Sequence, residues 1–317
     1  MYSEFELIAR YLAPTSAADA AGVELGVGDD CALLVPTPGM RLAMSVDTSV
    51  ADVHFPADAP AAAVGHRALA VSLSDLAAMG ASARWCLMSL TLPTADEAWV
   101  ADFAAGFHAL CKASGVTLAG GDVTRGELAV GVTVIGEVPE GQALTRRGAR
   151  PGEVVAVTGA LGGGAGGLAR WQAGRRDRDD PLLRRYLTPE PRLAAGMALR
   201  ELASAAIDVS DGLLADLGHL CAASGVGVAL SPEALPLAEG LAAALGDSGA
   251  RRAALSGGDD YELLVTLPAE CLAPACERLA ADGLALTAIG RVTDTPGITG
   301  VAEKGVAGWQ HFSGDAS

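Results

Sequence analysis

The segments GDDCALLV at 28–35 and GDDYELL at 258–264 repeat one pattern 230 positions apart (258 − 28): a glycine, two adjacent carboxylates, then an apolar run. A carboxylate beside a buried strand is costly unless it is capped, hydrogen-bonded or bound to a cation. A chain that carries two such pairs must therefore fold so that each acquires partners. The runs CALLV and YELLV read as core strands, and their recurrence predicts two related α/β layers.

The spacing of the other elements agrees with that division. A helix is predicted over about 3–12, strands at 31–35 and 40–48, and a long helix from Pro60 to Met79 stopped by Gly80. Strand-like WCLMSLTL (85–92) precedes a helix with a Thr94/Glu97 capping box that ends near Gly115, and strands follow at 116–122 and 127–138. The turn-rich segment 139–153 is the expected boundary, giving an N-terminal domain over 1–140 and a C-terminal domain over 150–317. Beyond it come a strand at 153–159, a glycine-rich turn and helix, a charged loop at 173–181, a helix from Pro191, another after Asp211, and strands YELLVTLP and LALTAIGRV. The fold class is α/β (α+β), with helices and strands alternating in both halves.

Charge narrows the partners. With 22 basic against 38 acidic residues the net charge is −16, which argues against a nucleic-acid or anionic-membrane surface. The only lysines are Lys112 and Lys304, and neither stands in G-x-x-x-x-G-K-[ST], so a P-loop is excluded. The protein-kinase motifs are missing as well. Six scattered cysteines with no C-x-x-C point to reduced, buried thiols rather than zinc, and the N-terminal MYSEFELIARYL has no signal-peptide core. No apolar stretch reaches spanning length, and a cytoplasmic location is expected.

The acids flanked by small or apolar residues are Asp29, Asp30, Asp47, Asp75, Asp122, Asp208, Asp211, Asp259 and Asp260. Nearly all fall where a strand is expected to end or a glycine turn to begin; Asp75 instead interrupts an Ala-rich helix. Taken singly, each reads as an Asx-turn or an N-cap, and Asp211 could cap the helix that follows it. Taken together, an oxygen-only set without cysteine or clustered histidine selects hard cations, and Mg²⁺ in particular is held by a few carboxylates plus phosphate oxygens. That is a route by which an acidic chain without a P-loop lysine holds a nucleoside triphosphate. Gly162, Gly164 and Gly167 also satisfy G-x-G-x-x-G after a strand, but among 40 glycines such matches arise by chance and the acids that follow fall in RRDRDDP, a loop, so a tight turn packing helix against strand is the favoured reading over a dinucleotide site. His54, Arg146, Arg147 and Trp309 each have a structural reading beside a ligand-binding one, and no Ser–His–Asp or Cys–His order supports nucleophilic catalysis.

In order, GVGDDCALL, SVDTSVADVHF, LSDLAAMGA, GGDVTRGEL, ALTRRGARPGE, IDVSDGLLADLGHL and ALSGGDDYELL resemble the thiamine-monophosphate kinases, within the superfamily of aminoimidazole ribonucleotide synthetase and selenophosphate synthetase. The resemblance runs from ELIARY to GWQHF. It implies a two-domain subunit, an N-terminal mixed sheet that pairs across a homodimer, and a C-terminal α/β sandwich. It implies transfer of the ATP γ-phosphoryl group to thiamine monophosphate with several Mg²⁺ ions. Asp30, Ser45, Val46, Asp47, Asp75, Asp122, Asp208 and Asp211 would hold metal, with Asp30, Asp75, Asp122 and Asp211 central to catalysis. Gly121, Asp122, Arg146 and Ser210 would meet the nucleotide, and His54, Glu262 and Trp309 would line the thiamine phosphate pocket.

Two departures stand out. Val46 replaces a threonine of an S-T-D-T motif, so only its carbonyl could serve a metal. LGGGAGGL replaces L-G-D-S-A-A-G-L, so Gly163 offers no carboxylate. A selenophosphate synthetase would carry an N-terminal Cys and Lys, and the hydrogenase-maturation relative a cysteine tail; neither is seen here. A non-catalytic nucleotide-binding protein of the same fold would have no need of so many costly acids.

Overall fold

The computed structural model describes residues 4–13, 22–177 and 179–301. They divide into two compact units, the first formed by residues 1–76 and 81–143, the second by 77–80 and 144–317. The expected Trp309 contact lies outside the described residues.

In the first unit, α1 (Glu4–Leu7) runs into a π-helical turn at Ile8–Leu12. A two-stranded antiparallel ribbon of β1 (Val23–Leu25) and β2 (Leu33–Leu34) precedes β3 (Met40–Val50) and α2 (Ala61–Ala78). Then come β4 (Ser82–Leu92), α3 (Glu97–Ser114), β5 (Thr117–Arg125) and β6 (Ala129–Pro139). The sheet order is β3-β6-β4-β5, antiparallel except for the parallel β4–β5 pair, so the sheet is mixed.

Its core holds Leu69 and Leu73 of α2, Phe103 and Phe107 of α3, and Leu90, Val132 and Val134 of the sheet, all at 0% exposure. The two helices meet at glycines. A Cβ on Gly106 would stand 1.9 Å from the Ala62 carbonyl oxygen, and one on Gly65 2.1 Å from that of Phe103. Backbone cannot yield as a flexible side chain does, so Gly106→Ala is expected to cost about 1–3 kcal/mol through overpacking. Equilibrium urea unfolding checks this, and an unchanged midpoint would contradict it.

Two sequence expectations change here. CALLV is not a core strand: only Leu33–Leu34 is extended, Leu33 is 50% and Val35 52% exposed, and only Ala32 and Leu34 turn inward, partly buried against the cluster around Trp85. The α3 cap is Asp96 rather than Thr94. Its carboxylate accepts the N–H groups of Ala98 (3.0 Å) and Trp99 (3.4 Å), the reach of an N-cap acid, while Gly115 closes the helix in the left-handed region.

The second unit contains β7 (Val154–Thr158), α4 (Gly163–Gln172), α5 (Pro181–Leu187), α6 (Leu193–Leu199), β8 (Ala205–Asp208), α7 (Leu213–Ser224) and β9 (Gly227–Leu230). It ends with α8 (Leu241–Ser256), β10 (Leu263–Leu267), α9 (Leu272–Ala280), β11 (Leu286–Thr293) and β12 (Gly297–Thr299). The six-stranded order is β12-β9-β11-β7-β10-β8. Every residue of β7 and β10 is buried. On one face Val155, Val157 and Leu264 join Leu213, Leu217 and Leu220 of α7; on the other, Ala156, Val265 and Leu267 join Leu199 of α6 and Leu279 of α9. Helices on both faces make it a sandwich.

The charged stretch 173–181 is solvated, as its composition suggests: among its described residues all but Asp180 are exposed. Arg176 lies 3.5 Å over the Trp171 ring, and Asp180 caps α5 by accepting from Leu182 and Leu183.

Candidate functional site

In the first unit the period of two along β3 sorts the motif SVD. Ser45 and Asp47 face the helices, and Val46, 65% exposed, faces the other way. Ser45 Oγ donates a short hydrogen bond to Asp75 Oδ2, which α2 brings down onto that face. The Asp47 carboxyl is raised to about 6, first by burial and then by the Asp75 charge, against a lowering contribution from Ser72. Ser45, Asp47 and Asp75 therefore form one group, with the Asp75 charge close enough to oppose the ionisation of Asp47. Because the Val46 side chain points away, only its backbone could take part.

Asp122 belongs to the other side of the sheet. It pairs in register with Ser89, Ser89 with Gly131, and Gly131 with Thr48, in the row next to that of Asp47, Val132 and Met88. Successive rows alternate faces. Asp122 thus shares an open trough of about 340 Å³ with Val46, Thr48, Ser89, Thr91 and Thr133. Gly121 is fixed by the sheet itself, since a Cβ there would lie 2.0 Å from the Met88 carbonyl oxygen. Asp30 is exposed in the loop before β2, its N–H donating to Asp29 Oδ1. His54 Nδ1 accepts the Val50 N–H at 3.0 Å, which leaves the proton of the neutral ring on Nε2.

In the second unit Asp208 ends β8, and Ser210 and Asp211 follow in the turn before α7. Asp211 does not cap that helix; Gly212 holds the cap position at φ 111° without a side-chain bond. The turn is held by a residue that sequence reading left out. Asp216, 3% exposed, accepts the N–H groups of both Ser210 and Asp211 on Oδ2 at 3.1 Å. Its carboxyl is raised to about 7, by burial and by the charges of Asp208 and Asp211. The signal was available in the sequence: like Asp75, Asp216 is an acid within an otherwise apolar helix. Arg146 is exposed, and its carbonyl accepts from Ser224 Oγ.

The second GDD pair serves the fold. Asp260, 8% exposed, accepts the N–H of Gly162 on Oδ2 (2.7 Å) and of Gly164 on Oδ1 (3.1 Å). These are the amides that a dinucleotide phosphate would need at the start of α4, and the chain's own carboxylate occupies them. Burial nevertheless pushes the Asp260 carboxyl up to about 7. Its folded value lies above the unfolded 3.8, so the folded state holds the extra proton between about pH 4 and 7, and stability from this group declines as pH rises through that window. The stability gap between wild type and Asp260→Asn, followed by urea unfolding, should therefore narrow from pH 5 to pH 8; a gap independent of pH would refute the assignment.

Glu262, expected to line a substrate pocket, is 0% exposed. Arg192 grips it in a fork, Nε to Oε2 and Nη2 to Oε1, both at 2.8 Å. Thr158 Oγ1 donates to Oε2 at 2.8 Å and Arg185 Nη1 to Oε1 at 3.3 Å.

The carboxylates thus form separate groups within each unit, and among the described residues no cluster of three or more His, Cys, Asp or Glu side chains has metal-holding geometry. Their chemistry still suits a hard cation. The donors are oxygen only, and both Asp47 and Asp216 are raised chiefly by burial and then by neighbouring carboxylates of their own unit, a cost that a cation bound beside each group would relieve. Among the described residues no helix is long and apolar enough to cross a membrane.

Residues 28–138 match the N-terminal domain of AIR synthase related proteins, and residues 150–303 match their C-terminal domain. The chain is 45% identical over 294 residues to the thiamine-monophosphate kinase of Escherichia coli K12, covering 92% of this chain and 90% of that protein. A crystal structure of the Stenotrophomonas maltophilia K279a thiamine-monophosphate kinase superposes with a TM-score of 0.85 at 42% identity, covering 93% of this chain and 94% of that one. AaThiL complexed with AMPPCP and TMP superposes at 0.78 with 32% identity, over 88% and 89% of the two chains. With both domain matches in order and this identity along nearly its whole length, the chain belongs to the thiamine-monophosphate kinase family of AIR synthase related proteins.

Proposed function

We propose that this protein transfers the γ-phosphoryl group of ATP to thiamine monophosphate, giving thiamine diphosphate and ADP. The observation that carries this reading is the 45% identity to a thiamine-monophosphate kinase over nearly the whole chain. AaThiL, which binds AMPPCP and TMP, supports the same pair of substrates. In this reading Asp30, Ser45, Val46 (through its carbonyl), Asp47, Asp75, Asp122, Asp208 and Asp211 hold Mg²⁺. Gly121, Asp122, Arg146 and Ser210 meet the nucleotide, and His54, Glu262 and Trp309 belong to the acceptor pocket. The subunit acts as a homodimer through the first sheet, a proposal supported by the exposed apolar side chains of Leu42, Met44 and Val46 on β3. Six free thiols fit a reducing cytoplasm.

The acceptor is a phosphate already largely ionised at neutral pH, so no general base is needed to create the nucleophile. The difficulty is repulsion. Two unit charges about 4 Å apart repel by about 4 kcal/mol at an effective dielectric near 20, and these groups carry more. Bound Mg²⁺ would supply the neutralising charge. The chain's own contribution is orientation: Ser45 holds the Asp75 carboxylate, Asp216 fixes the Ser210–Asp211 turn, and the register of β4 and β5 sets Asp122. Transfer is then direct and in line.

The test is incubation of the protein with ATP, Mg²⁺ and thiamine monophosphate, with product separation. Thiamine diphosphate and ADP in equal amounts are expected, with inversion at a chiral γ-thiophosphoryl group. Absence of the diphosphate would overturn the activity, and a phosphoenzyme competent for turnover would overturn the direct route.

A further inference from the structure

Asp259 and Tyr261 are both non-glycine residues in the left-handed region, at φ 67° and 52°. For a residue as bulky as tyrosine this conformation is strained and persists only when its surroundings enforce it. The turn is tied to the segment that follows β8 by three backbone bonds. The Asp259 N–H donates to the Ser210 carbonyl (2.9 Å), the Tyr261 N–H to the Val209 carbonyl (2.8 Å), and the Val209 N–H to the Glu262 carbonyl (2.8 Å). Glu262 is the end of the turn with no freedom, because its carboxylate is buried and gripped by Arg192. Arg192 stands at the N-cap of α6, its side chain 15% exposed, and its other acidic partner is the exposed Glu190.

We propose that Arg192 is a positioning residue: by holding the Glu262 carboxylate in a two-point fork it fixes the strained Asp259–Tyr261 turn, and through that turn the Val209–Asp211 segment. A planar guanidinium sets both the place and the rotation of a carboxylate, which a point charge does not. Released from the fork, Glu262 keeps Arg185 at 3.3 Å and Thr158, and both approach from the glycine-loop side. Asp260 still holds the middle of the turn on the Gly162 and Gly164 amides, but the Tyr261–Glu262 end loses its two-point hold, and the Ser210 and Asp211 amides, tied to that end through Val209, lose their alignment on Asp216.

The inference rests on the kinase reading only in its kinetic arm; a structural arm is independent of it. Arg192→Met and Arg192→Lys are compared with wild type by hydrogen–deuterium exchange, at a temperature where circular dichroism shows each to be folded. In the Met variant the Ser210 and Asp211 amides should exchange at least about tenfold faster while those of β7 and β11 are unchanged, with the Lys variant in between. In the kinetic arm kcat should fall at least about tenfold, a larger change than the rise in KM for thiamine monophosphate that loosening Glu262 in the acceptor pocket brings. Uniformly faster exchange across the second unit with normal kcat per folded molecule would make Arg192 merely structural and overturn the proposal, as would unchanged exchange at Ser210 and Asp211. Should the Met variant fail to fold, the Lys variant decides by the same criteria. Should wild type show no kinase activity, the kinase reading falls and the exchange arm decides the role of Arg192 alone.

Discussion

Asp75→Asn is expected to lower turnover at least about 100-fold at saturating Mg²⁺ while leaving the protein as stable as wild type or more so. The two effects share one cause. Asp75 adds its charge to burial in raising the Asp47 carboxyl to about 6, above the unfolded value of 3.8. Between about pH 4 and 6 the folded state holds a proton that the unfolded state has released, so stability declines as pH rises through that window, and the full penalty stands at pH 8. Asparagine keeps the shape, and its carbonyl oxygen can still accept from Ser45, but the charge is gone. Without metal the fold gains on the order of 1 kcal/mol at pH 8, while with metal a ligand has been lost. Melts in EDTA at pH 5 and pH 8, beside an assay of diphosphate formation, separate the outcomes. Near-normal turnover would remove Asp75 from the site. A lower melting temperature with activity lost in proportion would make it a folding residue.

The elements most legible in the sequence were those governed by local chemistry. The α2 and α3 helices, the interior strands β7 and β10, and the turn-rich segment 139–153 follow from apolar periodicity and glycine stops. The helices α5, α8 and α9 and the strand β9 carry no such signal, because their apolar residues are short-range alanine and leucine patterns without a distinctive cap, except for Asp180 before α5. Among the proposed site residues, the acids stand out in the sequence as a set, but their grouping does not. That Asp47 and Asp122 lie on opposite faces of one sheet depends on strand register, which is a non-local property. The partners of Glu262 were equally hidden: Arg185 and Arg192 stand 77 and 70 positions away, and in sequence they look like ordinary surface arginines. The matching GDD triplets proved dissimilar. Asp29 and Asp30 sit in an exposed loop, whereas Asp260 is a buried clamp on the glycine turn.

For Glu262→Gln the expected result is a loss of about 3 kcal/mol in stability, roughly 6–12 °C in melting temperature for a domain of this size. The substitution is isosteric, so packing is kept and the effect is electrostatic. Both carboxylate oxygens accept from donors: Arg192 and Thr158 at Oε2, Arg192 and Arg185 at Oε1. An amide presents one acceptor and one donor, so either orientation sets an N–H₂ against an arginine N–H and leaves Arg192 only the exposed Glu190 as counter-charge. No relief comes from moving aside. Gly159 at φ 57° already gives up its side chain to this carboxylate, since a Cβ there would lie 2.1 Å from Oε1. A residue serving the acceptor alone would behave otherwise, with an unchanged melt and a raised KM for thiamine monophosphate. Combining Glu262→Gln with Arg192→Met separates the two roles, because removing both partners of a buried pair costs less than the sum of removing each. Additive losses would show that the fork is not the source of the stability, whereas recovery of the melt with KM still raised would show Glu262 acting in both the fold and the pocket.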